Sequence, residues 1–387
     1  MSTFAIKSDH LVLPNDVDGS GYLLVADGRF AGVTEDAPEG VEVIDRTDCW
    51  VAPGFFDTHI HGFVGHDVMD CDPEAVTAIC EELVCHGTTS WLATTLTASV
   101  EQTGEACASV AEAVRAQGAG FVGTRTQGIF LEGPFFTEEH KGAQNPKYLI
   151  DPEASILDGW QERAGGLITK SALAPERDGT VTYVEAMTDR GVTVALGHTS
   201  ATSEECLAAV EAGARVFVHT YNGMADLLHR NPGPVGCAMT TPETYSELIC
   251  DGMHVHPIAC KALVHAKGWE HVALITDCLS CGGLEDGDYY LGELPIELRG
   301  GAAYLKGAGN LAGSTLTLAK AVQNVVGWGM VSPSQALRMA SEIPARSVNM
   351  DDRCGVIATG RLADLVVMDQ DMTLVETYLA GQLVSAS

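Results

Sequence analysis

The chain has 387 residues, of which 46% are hydrophobic and 19% charged, a globular composition that excludes disorder along its length. Lys and Arg number 22 against 52 Asp and Glu, giving a formal net charge of -30 that repels phosphodiester backbones and anionic lipid. Nucleic acid and membrane surfaces are therefore not expected as partners, and an anionic substrate must be held by a few local cations.

Three segments at the start read as short strands: AIKSDHLVL, GYLLVADGRFAGV with its Asp-Gly turn, and VEVID. After Pro53 the texture changes. Short apolar runs (GIFLE, VTVALGH, ARVFVHT, ELICDG, HVALITD) alternate with Ala- and Glu-rich segments of helical period such as PEAVTAICEELVCHG and ATSEECLAAVEAGA. Such alternation implies parallel strands joined by crossover helices, in either a doubly wound sheet or a (β/α)₈ barrel. Glu132, His198, His219, Asp251 and Asp277 stand at the ends of successive runs. Only a barrel brings all strand ends to one mouth, so a TIM-like (β/α)₈ barrel over residues 53–346 is expected. The last segment, GVIATGRLADLVVMDQDMTLVETYLAGQLV, returns to β texture. Residues 1–52 and 347–387 are expected to pair as one small, discontinuous β-sandwich domain. No apolar run reaches the roughly 20 residues a membrane helix needs, and the opening residues carry no basic-then-apolar leader, so a cytoplasmic location is expected. The 12 cysteines are scattered, mostly in apolar segments, and read as reduced, buried thiols. Cys278 and Cys281 form a lone CxxC, short of the four ligands of a structural zinc site.

The chemistry begins in PGFFDTHIHG, residues 53–62. Residues two apart on a strand face one side, so His59 and His61 can present two imidazoles to one ion. Taken alone, the pair fits hydrogen-bonded histidines equally well. LEGP, LGHTSAT and VHTYNGM add Glu132, His198 and His219 at further strand ends, an oxygen and two nitrogens that suit a catalytic metal site with an open position. His and Glu suit zinc, iron and manganese alike. Asp277, in ALITDCLSCGG, reads either as a turn cap or, beside a metal, as the group that takes and returns a proton.

Together PGFFDTHIHG, LEGPFF, LGHTSAT, HTYNGM, HRNPGPVG, DGMHVHP, LITDCLSCGG and NLAGS resemble, in this order, the N-acetylglucosamine-6-phosphate deacetylases of the amidohydrolase superfamily. The resemblance implies a metal-dependent barrel enzyme, usually a homodimer, that removes acetate from an amino-sugar phosphate. It implies Glu132, His198 and His219 as main metal ligands, with zinc foremost and one or two ions per chain, and Asp277 as catalytic aspartate. It also implies substrate contacts at Ala143, Asn222, Gly223, His254 and the Leu311, Ala312, Gly313 segment. Arg230 would bind the phosphate, reaching into the neighbouring subunit's site. A guanidinium suits that task because it pairs with phosphate bidentately.

Two positions separate this chain from many members. Gln144 stands in KGAQNP where many carry His, and a carboxamide can donate but carries neither charge nor a transferable proton. Some members lack the second His of HxH and use one metal, whereas here both stand. N-acetylgalactosamine 6-phosphate is accordingly an alternative substrate. Two further alternatives are a cyclic-amide hydrolase of the hydantoinase or dihydroorotase type, which commonly bridges two metals with a carbamylated lysine, and a silent sugar-phosphate sensor.

Overall fold

The computed structural model describes residues 3–15, 17–118 and 120–386. Its centre is an eight-stranded parallel sheet. The strands are β1 (Phe55–Ile60), β2 (Thr88–Thr95), β3 (Arg125–Phe135), β4 (Ile168–Leu173), β5 (Thr193–Leu196), β6 (Val216–Phe217), β7 (Tyr245–Ile249) and β8 (Val272–Ile275), each hydrogen-bonded to the next. Just past β8, the Asp277 N–H donates to His59 O at 2.8 Å and the His61 N–H donates to Cys278 O at 2.9 Å, so the last strand returns to the first. This is the TIM-like barrel expected from the alternating texture.

Several strands hold near-continuous apolar runs, such as GIFL in β3, VAL in β5 and VALI in β8, because both faces are covered. One face packs inward: Phe56, Leu92, Phe130, Ala172, Ala195, Val216, Tyr245 and Ala273 form one core, closed at the strand starts by Ile343, Val348 and Met350. The other face, with Trp91, Ile129, Leu131, Leu173, Val194 and Phe217, packs on the surrounding helices. Local chemistry sets where those helices begin. Asp72 accepts the Glu74 N–H ahead of Pro73–Leu83, and Thr202 with Glu205 forms a capping box ahead of Ser203–Glu211.

Both chain ends enter a second eight-stranded sheet. Trp50–Pro53 lies parallel to Phe4–Leu13 on one side and antiparallel to Leu365–Met368 on the other. Phe4, Ile6, Leu23, Val25, Val51, Leu365, Val367 and Tyr378 form its core.

The expected strand–helix alternation breaks after β8. There a four-stranded antiparallel sheet is inserted, made of Gly287–Leu291, Leu294–Arg299, Ala302–Leu305 and Leu311–Gly313. Leu291, Ile296, Leu298 and Ala303 pack it on Leu96, Ala98, Leu279 and Cys281 at the C-terminal end of the barrel strands. Its period-2 runs, DYYL and LPIELR, break at the Gly292 and Gly300–Gly301 turns, and that hairpin signal was readable in the sequence.

Candidate active site

Glu132 lies inside β3, two residues beyond Phe130, and so projects into the same barrel interior. His198, His219 and Asp277 each stand two residues past their strands. All three have left-handed backbone, with φ of 48°, 25° and 50°. That conformation is uncommon outside glycine, though Asp and His adopt it more readily than most, and here each side chain reaches the cluster at the barrel mouth.

The imidazoles converge on one carboxylate. Glu132 Oε1 lies 3.1 Å from His198 Nε2, 3.0 Å from His219 Nε2 and 3.3 Å from His59 Nε2. Glu132 Oε2 lies 3.3 Å from His61 Nε2. Asp277 Oδ1 completes the far side, 3.2 Å from His61 Nε2 and 3.5 Å from His59 Nε2. His198 Nε2 and His219 Nε2 are themselves only 3.1 Å apart. His198 Nδ1 is 2.9 Å from His140 O, so it is the protonated nitrogen, and Nε2 is left bare toward the cluster.

Burial alone would raise the Glu132 pKa, but His59, His198 and His219 hold it well below the carboxylate range. Burial opposes protonation of His59, yet the charges of Glu132 and Asp277 raise it to about 9. Asp277 is lowered in the same way: burial raises it, and His59 and His61 outweigh that. These groups are arranged to favour positive charge between two carboxylates. The buried His59 Nε2 has no hydrogen-bond partner, and the donors are the nitrogen and oxygen types that bind a divalent cation. His59, Glu132 and His219 form one group of potential ligand atoms, and His59, His61 and Asp277 a second, with each group's atoms within 4.8 Å of one another. The residues therefore fit a metal.

A cavity of about 220 Å³ opens above this cluster. Of the sequence candidates, all line it except His59, which lies beneath, and Arg230. The inserted sheet supplies Leu311, Ala312 and Gly313 as one wall. His254 turns its buried, unpartnered Nε2 to the cavity because Nδ1 is engaged by Asp251 Oδ2 at 2.6 Å. Asp251 itself does not reach the cavity; it also accepts the Met253 and His254 N–H groups. Gly223, at φ +58°, sits so close to His198 that a Cβ there would lie 2.7 Å from Nδ1. Asn222 donates to His219 O and helps shape the same turn. A larger cleft, about 530 Å³, lies by the start of β3 against Leu379–Val384 and contains none of the candidate residues, so chemistry rather than size selects the smaller one.

Gln144 is placed differently from a free substrate contact. Its Nε2 donates to Glu132 Oε2 at 2.7 Å and its Oε1 accepts the Thr97 N–H at 2.9 Å. Arg230 is exposed on the loop after β6, with no hydrogen-bond or ion-pair partner among the described residues and no reach to its own chain's cavity. Cys278 and Cys281 are buried free thiols outside both ligand groups, and burial pushes the Cys278 thiol well up.

Sequence reasoning missed the layer beneath. Glu247 on β7 and Lys170 on β4 are fully buried and ion-paired. A charged residue in each of two otherwise uncharged barrel strands was the available signal. Lys170 also donates to Thr58 O at 3.3 Å and lies over the Phe130 ring, so its amine is not presented among the imidazoles as a bridging carbamate would be.

The Amidohydrolase family model matches residues 50–384. The N-acetylglucosamine-6-phosphate deacetylase of Vibrio furnissii is 37% identical over 332 residues, covering 86% of this chain and 82% of its own. The N-acetylgalactosamine-6-phosphate deacetylase of Escherichia coli O157:H7 is 36% identical over 363 residues, covering 94% of both chains. Among solved structures, a Mycobacterium smegmatis N-acetyl-D-glucosamine-6-phosphate deacetylase variant, in complex with N-acetyl-D-glucosamine-6-phosphate, superposes with a TM-score of 0.93 at 30% identity over 100% of both chains. The barrel, the cluster at its mouth and these matches agree, and the chain belongs to the amidohydrolase family.

Proposed function

We propose that the protein hydrolyses the N-acetyl group of N-acetylglucosamine 6-phosphate, giving glucosamine 6-phosphate and acetate. The observation that carries this reading is the convergence of Glu132, His198 and His219 beneath a small cavity with Asp277 on its rim. The names of relatives that match over most of both chains support the substrate class.

Glu132, His198 and His219 would hold a divalent cation, zinc foremost, and His59, His61 and Asp277 offer a second position. When bound, such a cation would supply Lewis acidity, which can lower the pKa of water from 15.7 to about 7. Asp277, low in pKa and facing the cavity, takes the proton of the attacking water and returns it to the departing nitrogen. His254, oriented by Asp251, offers an imidazole nitrogen to the sugar, and Leu311–Gly313 forms a wall of the same cavity. Arg230 binds phosphate in the site of a second copy, in keeping with its exposed position and with a homodimer. The cytoplasm is the proposed location, and residues 53–346 the catalytic domain, with 1–52 and 347–387 as its companion.

N-acetylgalactosamine 6-phosphate is the second reading, favoured by the E. coli O157:H7 relative. Acetate release measured over a panel of N-acetylated sugar phosphates tests both. A galacto preference selects the second reading, and no release from any member points to a silent sensor.

A further inference from the structure

Beneath the imidazole cluster lies a second polar layer that the reaction above does not use. Glu247, Lys170 and Thr58 form it, and they and His59 above them are all fully buried. Glu247 Oε2 is 3.0 Å from His59 Nδ1. Glu247 Oε1 accepts the Thr58 hydroxyl at 3.1 Å and the Lys170 ammonium. Replacing a buried ion pair by packed apolar residues is often neutral or stabilising, so stability alone is a weak reason for this one.

Its geometry supplies a stronger reason. A carboxylate only accepts, so the neutral imidazole that a metal requires must carry its one hydrogen on Nδ1, toward Glu247, and leave Nε2 free to ligate. That bare Nε2 faces Glu132 and Asp277 and has no hydrogen-bond partner. Of the four imidazoles at the mouth, His61 and His219 have unpartnered Nδ1 atoms, and His198 is fixed by a neutral carbonyl. His59 alone among them is fixed by an ion. An anionic partner both selects the tautomer and strengthens the imidazole as a donor.

We propose that Glu247, held in place by Lys170 and Thr58, is a positioning residue that commits His59 to its ligating tautomer and thereby sets metal affinity at the His59, His61, Asp277 position. This deepens the metal reading of the proposed function and rests on it.

The test uses the full-length protein, stripped of metal and titrated with Zn²⁺ against a competing chelator, with folding followed by circular dichroism. In Glu247→Gln, the new amide nitrogen must face either the Lys170 ammonium, donor against donor, or His59 Nδ1, which forces the hydrogen onto Nε2. The second equivalent should weaken by about 10- to 100-fold, the usual effect of removing such a partner, while the first stays near its native affinity. In the double variant Glu247→Gln with Lys170→Met the ammonium is gone, so the amide can give its oxygen to His59, and second-equivalent affinity should largely return. A purely structural role predicts no such rescue. Two native-strength equivalents in Glu247→Gln, or a double variant no better than the single, overturns the proposal. Should the native protein itself take up only one equivalent in metal excess, the two-position reading fails first, and the native titration alone reveals it.

Discussion

Left-handed backbone occurs at both the barrel mouth and the terminal-strand sheet, for different reasons. In the sheet it falls at Asp27 and Gly28, and again at Ala380 and Gly381, which are the two-residue turns of antiparallel hairpins. There φ is positive because the strand twist demands it, and small or turn-forming residues satisfy the demand. At the mouth it falls at His198, His219 and Asp277, none of them in a two-residue hairpin turn and each with its side chain in the cluster. Each such residue costs of order 1–3 kcal/mol, and the surrounding contacts hold it there. The same conformation marks economy of chain reversal in one region and placement of chemistry in the other.

The largest effect that separates the regions is expected at Asp277. Asp277→Asn keeps the size of the side chain, and Asn tolerates positive φ, so folding should be nearly unchanged. In the proposed reaction this carboxylate moves the proton, so its loss should lower turnover by about 10²- to 10⁴-fold, the range a positioned acid–base group contributes. Steady-state kinetics and a denaturant melt measure both quantities. A variant with near-native kcat removes Asp277 from the chemistry.

Leu365→Ala is the converse. Leu365 is fully buried, opposite Pro53 in the sheet register, just before β1 leads to the HxH pair. Removing it should lower stability by about 2–5 kcal/mol through lost burial and the cavity left behind. Activity per folded molecule should stay native, because no group at the mouth depends on that side chain. A loss of kcat in fully folded variant would mean that the sheet sets the position of His59 and His61.

These two variants also show what the sequence made legible. Barrel strands could be read from apolar runs, and the mouth from polar residues at their ends, because parallel strands buried on both faces leave few other places for a charge. Glu132, His198, His219 and Asp277 stood out for that reason. Glu247 and Lys170 did not, since each is the one charge inside its strand and its meaning depends on a partner 77 residues away. The inserted sheet was missed because a strand–helix rhythm was extended through residues 287–313, although their own alternation and Gly turns pointed to hairpins. Gln144 could be read as a departure from the histidine many members carry, but its engagement with Glu132 and Thr97 could not, since both partners come from other segments of the chain.

Arg230 stands between the two regions in expected effect. It is exposed and unpaired among the described residues, so Arg230→Ala should leave stability unchanged. If it binds phosphate, KM for the 6-phosphorylated sugar should rise by roughly 10- to 100-fold, the equivalent of one charge-assisted hydrogen-bond pair, with the unphosphorylated analogue unaffected. Mixing Arg230→Ala with Asp277→Asn protein should restore activity in heterodimers, since one of the two composite sites then has both residues intact. Equal loss on both substrates, with no recovery on mixing, makes Arg230 a structural residue of its loop.

The smallest effect is expected at Gln144, and its direction follows from the hydrogen bonds already named. The amide ties Glu132 Oε2 to the Thr97 backbone, so it acts on the carboxylate of the cluster rather than on the sugar ring. An imidazole at this position can donate to Glu132 or accept from Thr97, but its ring cannot match the reach of the carboxamide to both. Gln144→His should therefore lose about one hydrogen bond, roughly 0.5–1.5 kcal/mol, and lower kcat/KM by about two- to tenfold. The loss should be shared equally by N-acetylglucosamine 6-phosphate and N-acetylgalactosamine 6-phosphate, because Gln144 acts through Glu132, and the acetyl group on which the proposed reaction takes place is common to both epimers. Sugar selection would then rest with groups that face the cavity freely, His254 first among them, whose Nε2 has no protein partner. Measuring kcat/KM for both epimers in the native protein and in Gln144→His decides this. A change in their ratio beyond a few-fold would mean that the residue at 144 leaves Glu132 when substrate binds and reads the ring directly.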